Sequence, residues 1–211
     1  MEEYNKSLIL AKERIAKIKR DERHEKIGDR IPPGQTVTDR FPILDLGVRP
    51  DFDREKYRLR VYGLLWKERE FSYDEILKMP KTELAADFHC VTSWSRLLVK
   101  WKGVLWKDFV KIAKPKEDWK FCIFEGLDGY TTNVGRGDLN RENVLLAYEV
   151  DGKPITREHG WPLRIIIPHL YGWKGSKFLK AIKFTDKDEP GFWEVRGYHN
   201  RGGVFEEERY S

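Results

Sequence analysis

The sequence is poor in sulfur. Its 211 residues include two cysteines, Cys90 and Cys122, and two methionines. Two cysteines are too few for the disulfide framework of a small secreted domain, and we expect both to be reduced thiols. They also lack the spacing of zinc ligands, so the sequence offers little support for a structural zinc site.

Long apolar segments are missing as well. No run approaches the roughly 18 to 20 apolar residues that span a bilayer, and the first residues, MEEYNKSLILAKERIAK, lack the features of a signal peptide. These absences predict a cytoplasmic protein without membrane insertion. The net charge of +5 comes from 40 basic and 35 acidic residues spread along the chain. That balance indicates a solvated surface and not a nucleic-acid footprint.

Aromatic residues, in contrast, are plentiful. Eight Trp, nine Tyr and eleven Phe contribute to a hydrophobic content of 40%, which is enough for the core of one cooperative domain. Two short helices are predicted, one with a capping box at Ser72 and Glu75 and one over residues 105–113. Strand patterns are more numerous, and no regular βαβ alternation joins them. They cover residues 57–62, 83–89, 163–167 and 181–185 and two hairpins, at 121–134 and 144–155. We therefore predict an α+β fold with mixed, mostly β sheets.

The first 35 residues are predicted to form an amphipathic N-terminal helix and a linker, and residues 36–211 the main domain. Apolar side chains fall at helical spacing in this segment: Leu8, Ala11, Ile15 and Ile18. Packing on the domain or on a second subunit is favoured over binding to a membrane or an acidic partner. The following segment, residues 31–44, contains three prolines and is predicted to be an irregular, extended strap.

A short stretch, FHCVTSWS, contains the first candidate for chemistry. A predicted strand ends there and delivers Cys90 to a loop with Thr92, Ser93 and Ser95. A thiolate needs such polar, donor-rich surroundings to react or to bind a metal. From these residues alone a structural cysteine is at least as good an interpretation, and His89 is favoured as a hydrogen-bonded strand histidine. Cys122 lies in the apolar run FCIF and is predicted to be a core residue.

The second candidate is the block HGWPLRIIIPHLYGWKGSK, residues 159–177. A predicted buried strand carries Arg164, whose guanidinium would be costly to bury without an anion. In the loop that follows, Gly172 and Gly175 let backbone amides approach a ligand, and Lys174 and Lys177 supply positive charge. The alternative for Lys174 is a solvated position on the surface. This pattern predicts an anion site and favours a phosphate as the anion. It matches neither the P-loop nor the dinucleotide fingerprint.

Taken together, these segments resemble the molybdopterin-binding domain of the sulfite oxidase superfamily, from about Arg40 to Gly197. The resemblance rests on FPIL at 41–44, HCVTSWS around Cys90, GYTTN at 129–133, the block at 159–177 and GFWEVRGYH at 191–199. It implies a molybdenum oxidoreductase that exchanges an oxygen atom with a small sulfite-, sulfoxide- or N-oxide-like substrate. The implied cofactor is molybdopterin with molybdenum, or with tungsten as the alternative metal, bound by residues 36–211.

The resemblance also implies roles for individual residues. Cys90 would be the protein thiolate on the metal, beside the two dithiolene sulfurs of the pterin, because soft sulfur donors suit such a metal. Tyr198 and Arg40 would meet the substrate. The pterin and its phosphate would be held by Arg40, Phe41, His159, Arg164, Gly175, Ser176 and Lys177.

One departure separates this chain from the sulfite oxidases proper. Where those enzymes have two arginines shortly after the cysteine, this chain has Trp94 and Ser95. The run CVTSWS is more similar to the bacterial methionine sulfoxide reductases, which argues against sulfite. The length leaves no room for a haem or dimerisation domain, so we expect a separate electron-transfer partner.

Two other functions remain open from the residues alone. One is a cysteine hydrolase that pairs Cys90 with His169 or His199, and it would need a base within reach and an oxyanion hole. The other is a non-enzymatic module that binds through basic and aromatic surfaces.

Overall fold

A computed structural model describes residues 10, 12–14 and 28–211. The chain divides into two compact units, residues 1–32 and 33–211. In the first unit Leu10 and residues 12–14 are helical, and Gly28–Arg30 form a 3-10 turn. The rest of the predicted N-terminal helix lies outside the described residues, so this helix, its role and the boundary at residue 35 stay predictions.

The second unit is built mostly of strands. In chain order they are β1 (Thr36–Val37), β2 (Arg58–Gly63), β3 (Arg69–Ser72), β4 (Thr82–Cys90), β5 (Trp94–Leu105), β6 (Phe121–Gly126), β7 (Thr131–Gly135), β8 (Leu145–Val150), β9 (Lys153–Pro154), β10 (Arg164–Ile166) and β11 (Leu179–Thr185). The α-helices are short: α1 (Tyr73–Lys78), α2 (Trp106–Ala113) and α3 (Arg136–Leu139). Further 3-10 turns are formed by Arg157–His159, Gly172–Lys174 and Glu194–Arg196.

The strands form two sheets. The first has the order β1-β5-β8-β10, with β4 paired to β5 and β9 paired to β8. The second has the order β3-β2-β11-β6-β7. The pairs β1/β5 and β2/β11 are parallel, and the other pairs are antiparallel. The predicted α+β class with mixed, mostly β sheets is therefore confirmed.

Local signals explain where several elements begin and end. The capping box at α1 is present, because Ser72 Oγ accepts from the Glu75 amide at 3.2 Å and the Glu75 carboxylate accepts from the Ser72 amide at 2.8 Å. The helix ends at Lys78, and Met79 is its C-cap residue before Pro80. Both predicted hairpins also form, as β6/β7 and β8/β9.

Strand β5 was not predicted. The sequence was expected to continue as a loop after Cys90, yet the chain turns tightly and returns along β4 with Trp94 opposite Cys90. Ser93 makes this turn possible with a φ of 68° and an amide that donates to the Cys90 carbonyl at 3.1 Å. The residue Leu98, with a φ of 54°, and a register shift opposite β4 interrupt the alternation of β5, which hid the strand from pattern analysis.

The main apolar core contains members of both sheets together with α1 and α2. At its centre Trp106, which is fully buried, stacks on Phe184 with a ring-centroid distance of 5.8 Å. Cys122 belongs to this core and is fully buried, as predicted. No helix in the described part of the chain combines the length and the apolarity that a membrane crossing requires.

Candidate active site

A cavity of about 320 Å³ lies where β4, the strap and the loops after β10 meet. Seven of the nine predicted site residues line it: Phe41, Cys90, His159, Arg164, Gly175, Lys177 and Tyr198. These residues are up to 157 positions apart in the sequence, from 41 to 198, and the fold brings them together around one cavity. The predicted metal ligand and the predicted anion cradle therefore share one cavity.

Two predicted residues are not part of the cavity wall. Arg40 is exposed, and Ser176 is buried with its carbonyl accepting from the Ile165 amide at 3.2 Å. The backbone of Ser176 thus anchors β10 beside the cavity. The predicted contacts of Arg40 and Ser176 with a cofactor stay predictions.

Cys90 is the last residue of β4 and is 6% exposed. Its Sγ lies 3.2 Å from Thr92 Oγ1, and its carbonyl accepts from the Gln35 amide group at 3.0 Å. Ser95 Oγ donates to Gln35 Oε1, so His89 Nδ1, at 2.8 Å from Ser95 Oγ, is the donor of that pair. His89 is therefore a hydrogen-bonded strand histidine, linked through Ser95 and Gln35 to the Cys90 carbonyl.

Aromatic side chains surround Cys90. It forms one apolar cluster with Trp173, and Trp94, Trp193 and Tyr198 pack against that cluster. Tyr198 stacks on Trp193 at 4.9 Å and meets Trp173 edge-on at 5.0 Å. Burial, followed by the charges of Tyr210 and Cys90, raises the pKa of Tyr198, so its phenol remains protonated at neutral pH.

Arg164 provides positive charge that no carboxylate of the described residues balances within hydrogen-bonding range. Its side chain is 2% exposed, and it donates to the carbonyls of His159 at 2.9 Å and Gly175 at 3.3 Å. Its Nε is buried and has no partner among the described residues. Burial lowers the pKa of Arg164 to about 10, which leaves the group charged at neutral pH. A buried, unpaired guanidinium at a cavity wall calls for an anion.

Lys177 is the second cation of the cavity. Its Nζ donates to the Glu158 carbonyl at 2.9 Å. Burial and the nearby charge of Arg164 lower the pKa of Lys177 to about 8, against the opposing influence of Asp45 and Asp128. Like Arg164, it sits at the wall of the cavity with its charge incompletely compensated.

His159 connects the strap to this cationic wall. Its Nε2 lies 3.0 Å from the Phe41 carbonyl, which only accepts, so Nε2 carries the proton and Nδ1 accepts from Thr156 Oγ1 at 2.9 Å. Burial lowers the pKa of His159, consistent with this neutral form. The ring also packs on Phe41 at 4.5 Å. His159 thus lines the cavity while both of its nitrogens are bonded to protein groups.

Lys174 corrects a prediction from the sequence. It was expected to supply charge to an anion or to be solvated, but its side chain is 1% exposed and pairs with Glu194 at 2.6 Å. Its Nζ also donates to Asn133 Oδ1 at 2.9 Å and to the Asn200 carbonyl at 2.7 Å. The buried carboxylate of Glu194 neutralises the charge of Lys174. Lys174 therefore links the loop that carries Trp173 to the segment that carries Tyr198, and it is not available to bind a ligand.

Sequence reasoning missed two acidic residues of the cavity, Asp45 and Asp128. A hydrogen bond from Arg49 lowers the pKa of Asp45, whereas burial raises that of Asp128. Asp128 was assigned to a hairpin turn, which also occurs, and nothing around Asp45 marks it in the sequence. Their proximity to Lys177 arises from the folding together of segments that are distant in the sequence.

The rival hydrolase has no support in this geometry. His169 Nε2 lies 3.1 Å from Asp138, and His199 Nδ1 lies 3.5 Å from Glu208. Within the described residues the Cys90 sulfur has Thr92 as its polar neighbour, and no histidine is paired with it. Nor do three His, Cys, Asp or Glu side chains of these residues gather in a way that could hold a bare metal ion.

The donor set of the cavity fits the cofactor that the sequence resemblance implies. Cys90 offers a soft sulfur donor at the wall. Arg164 has an orphaned buried Nε, and Lys177 is only partly compensated, as a phosphate site requires. At Gly175 an added Cβ would lie 2.9 Å from the Ile165 carbonyl and 3.5 Å from the Arg164 guanidinium. Glycine therefore keeps this wall open beside the cation.

Comparison with known families agrees with the cofactor that the cavity residues fit. Residues 46–193 match the oxidoreductase molybdopterin binding domain. The oxidoreductase YuiH of Bacillus subtilis, whose name specifies no substrate, is 43% identical over 183 residues, which cover 86% of this chain and 92% of that protein. The range matched by the family includes Cys90 and the block at 159–177.

More distant relatives carry names of known reactions. The protein-methionine-sulfoxide reductase catalytic subunit MsrP of Campylobacter jejuni is 26% identical over 166 residues, covering 71% of this chain and 56% of that protein. Mitochondrial sulfite oxidase of Rattus norvegicus is 27% identical over 179 residues, covering 71% of this chain but 33% of that protein. The chain thus corresponds to about a third of the sulfite oxidase.

A solved structure shows the same fold. The sulfane dehydrogenase SoxCD of Paracoccus pantotrophus superposes with a TM-score of 0.58 at 22% identity, over 66% of this chain and 40% of that chain. With the family match over residues 46–193, this confirms the predicted resemblance and fold. The chain belongs to the oxidoreductase molybdopterin-binding domains of the sulfite oxidase superfamily, on the side of the methionine sulfoxide reductases, and is an enzyme whose cofactor is molybdopterin with molybdenum.

Proposed function

We propose that the protein transfers an oxygen atom to or from a small neutral substrate at a metal that Cys90 ligates. The observation that carries this proposal is the position of the Cys90 thiol, at the wall of the cavity that also contains the cationic cradle. The bound cofactor supplies the two-electron redox chemistry, and the protein binds, orients and shields it.

In this proposal the phosphate of the cofactor lies against Arg164 and Lys177. Arg164 can offer its unpartnered Nε to a phosphate oxygen while its other nitrogens stay bonded to the carbonyls of His159 and Gly175. His159 holds the strap closed over this region through Phe41. The arrangement is preorganised, because these hydrogen bonds exist before the anion binds.

The substrate is assigned to the aromatic side of the cavity. Tyr198 keeps its proton at neutral pH and is the proposed donor to the substrate oxygen. Near Cys90 the wall consists of Trp94, Trp173 and Trp193, and among the described lining residues the strong cations are Arg164 and Lys177, which this proposal assigns to the phosphate. Against these rings an oxyanion such as sulfite would lose more hydration than a neutral sulfoxide or N-oxide would.

The electrons are proposed to pass between the cofactor and a separate protein partner. Relatives of the methionine sulfoxide reductase type are named as catalytic subunits, which implies that they work with another subunit. A cytoplasmic location remains a prediction, and it does not bear on the residues assigned above.

A substrate comparison tests the proposal. Protein from a molybdopterin-producing host is assayed with a reduced viologen and either methionine sulfoxide or trimethylamine N-oxide, and with sulfite and an artificial acceptor. We expect the better neutral oxide to exceed sulfite in kcat/KM by roughly tenfold or more, because desolvation at the aromatic wall costs an anion more than a neutral oxide. Preferred turnover of sulfite would contradict the proposal.

The pH dependence of cofactor binding tests the cradle. The pKa of Lys177 is about 8, and the charged groups around it are Arg164, Arg49, Asp45 and Asp128. Since an anion favours the protonated lysine, affinity for the phosphate-bearing cofactor should begin to fall as the pH rises through about 8. Cofactor released on gel filtration at pH 6 to 10, measured by pterin fluorescence, reports this fall.

Two substitutions of Lys177 serve as controls for this experiment. Lys177→Met should bind the cofactor roughly tenfold to a hundredfold more weakly at pH 7, as expected for the loss of one charged hydrogen bond, and should show no step near pH 8. Lys177→Arg stays charged over the whole range and should bind without the step. A wild-type curve that is superimposable on that of Lys177→Met would exclude Lys177 from the phosphate site.

A further inference from the structure

We propose that the C-terminal residues 209–211 position Cys90 and Tyr198 relative to each other, with Arg209 as the positioning residue. Cys90 ends a strand of the first sheet, whereas Tyr198 lies in an irregular segment more than 100 residues later. Neither element fixes the other through sheet pairing. The match to the family ends at residue 193, so this link lies outside the matched range.

The side chain of Arg209 grips the turn that carries Cys90. One terminal nitrogen donates to the Val91 carbonyl at 2.7 Å and to Ser93 Oγ at 3.3 Å. The other donates to the Pro33 carbonyl of the strap at 3.1 Å. Val91 and Ser93 belong to the turn that follows Cys90, so the planar fork of an arginine holds both the turn and the strap in one geometry.

Arg209 also contacts the aromatic wall. Its guanidinium carbon lies 5.0 Å from the centre of the Tyr171 ring, which stacks on Trp173 at 5.2 Å and 12°. The strap can approach this side chain because of Gly34, where φ is +66° and an added Cβ would lie 3.2 Å from the guanidinium. The strap, the Cys90 turn and a cavity wall thus converge on one side chain.

The backbone of the same segment holds Tyr198. The His199 amide donates to the Arg209 carbonyl at 3.2 Å, and the Ser211 amide donates to the Gly197 carbonyl at 3.1 Å. Tyr198 lies between these two bonds and forms a β-bridge with Tyr210, whose ring is 5.3 Å away. Residue 209 therefore binds the Cys90 turn through its side chain and the Tyr198 segment through its carbonyl.

We call the contacts of Arg209 with the Cys90 turn and with the Tyr198 segment the clamp. The reactivity of the Cys90 thiol tests the clamp in protein that lacks the cofactor. In the full chain from a host that makes no molybdopterin, Cys90 is alkylated with iodoacetamide and quantified by peptide mass spectrometry. Arg209→Met should raise the rate about tenfold, which is the factor that roughly 1.4 kcal/mol of lost local stability produces. Arg209→Lys keeps the charge but not the planar fork, so its Cys90 should be alkylated at a rate between those of the wild type and Arg209→Met. Cys122 is fully buried and provides an internal reference.

Arg136→Met is the matched control. Arg136 likewise donates to two carbonyls, of Glu117 and Trp119, and covers the Trp119 ring at 4.8 Å, but it is not a cavity residue. Its substitution should leave the Cys90 rate within about twofold of the wild type. The clamp is overturned if Arg209→Met behaves like Arg136→Met, or if it accelerates labelling of Cys122 as much as that of Cys90.

The catalytic consequence rests on the proposed function. In cofactor-loaded protein Arg209→Met should lower kcat about tenfold and leave KM for the oxygen donor within about twofold, since it disturbs the position of the reacting groups and not the aromatic wall itself. Faster alkylation of Cys90 with an unchanged kcat would support the clamp and count against a catalytic role of Cys90. The two ideas can therefore fail separately.

Discussion

Replacing Cys90 by serine is expected to lower oxygen-atom transfer by about three orders of magnitude or more, as when a group that contacts the reacting atoms is removed. A serine oxygen is a harder and more basic donor than a thiolate and suits this type of metal poorly. The substitution leaves Arg164 and Lys177 unchanged, so cofactor content should fall less than activity. Steady-state rates and molybdenum content, measured on the same preparation, check both expectations.

Cys122→Ala is the matched control for this substitution. Cys122 is the other cysteine of the chain and belongs to the main core, where it is fully buried and burial raises its pKa. Its replacement should cost roughly 1 kcal/mol of stability through a small cavity and leave kcat within about twofold. Activity of Cys90→Ser equal to that of Cys122→Ala would remove Cys90 from the catalytic site.

Lys174→Met is expected to lower the free energy of unfolding by about 3–5 kcal/mol, because it leaves a buried carboxylate without its partner. The pair of Lys174 and Glu194 is almost fully buried, and Glu194 Oε2 already lacks a partner among the described residues. This pair fastens the 3-10 turn Gly172–Lys174, which carries Trp173, to the segment that carries Tyr198. Urea unfolding followed by tryptophan fluorescence measures the loss.

Two further variants separate the ion pair from general effects of the substitution. Lys183→Met removes a partly exposed pair with Glu189 and should cost less than about 1 kcal/mol. Adding Glu194→Gln to Lys174→Met removes the uncompensated charge and should restore part of the loss. A double variant less stable than Lys174→Met would show that the stability lost in Lys174→Met is not due to the unpaired carboxylate of Glu194.

The neighbouring lysines Lys174 and Lys177 illustrate what the sequence can and cannot predict. Both follow a buried strand in a glycine-rich loop, and both were candidates for binding an anion. Only the structure distinguishes them, because the acidic partner of Lys174 lies 20 residues further along the chain and no local pattern links the two. The carboxylates near Lys177 were likewise invisible in the sequence.

Local elements were easier to predict than their assembly. The capping box at Ser72 and the hairpin around Asp128 depend on neighbouring residues, so their sequence signals sufficed. Strand β5 escaped because an irregular residue, Leu98, breaks its alternation, although Val99 and Trp101 are buried on one face. Sheet order and the meeting of residues 41 and 198 at one cavity depend on contacts between distant segments, and the family resemblance was needed to anticipate them.

X-ray absorption at the molybdenum edge tests the central claim most directly, which is that the thiolate of Cys90 ligates the metal. Wild type and Cys90→Ser are purified from a host that makes molybdopterin, and the sulfur neighbours of molybdenum are compared. The account predicts one sulfur neighbour fewer in the variant than in the wild type. The same number of sulfur neighbours in both proteins would contradict it and would leave Cys90 as a structural residue of the cavity wall.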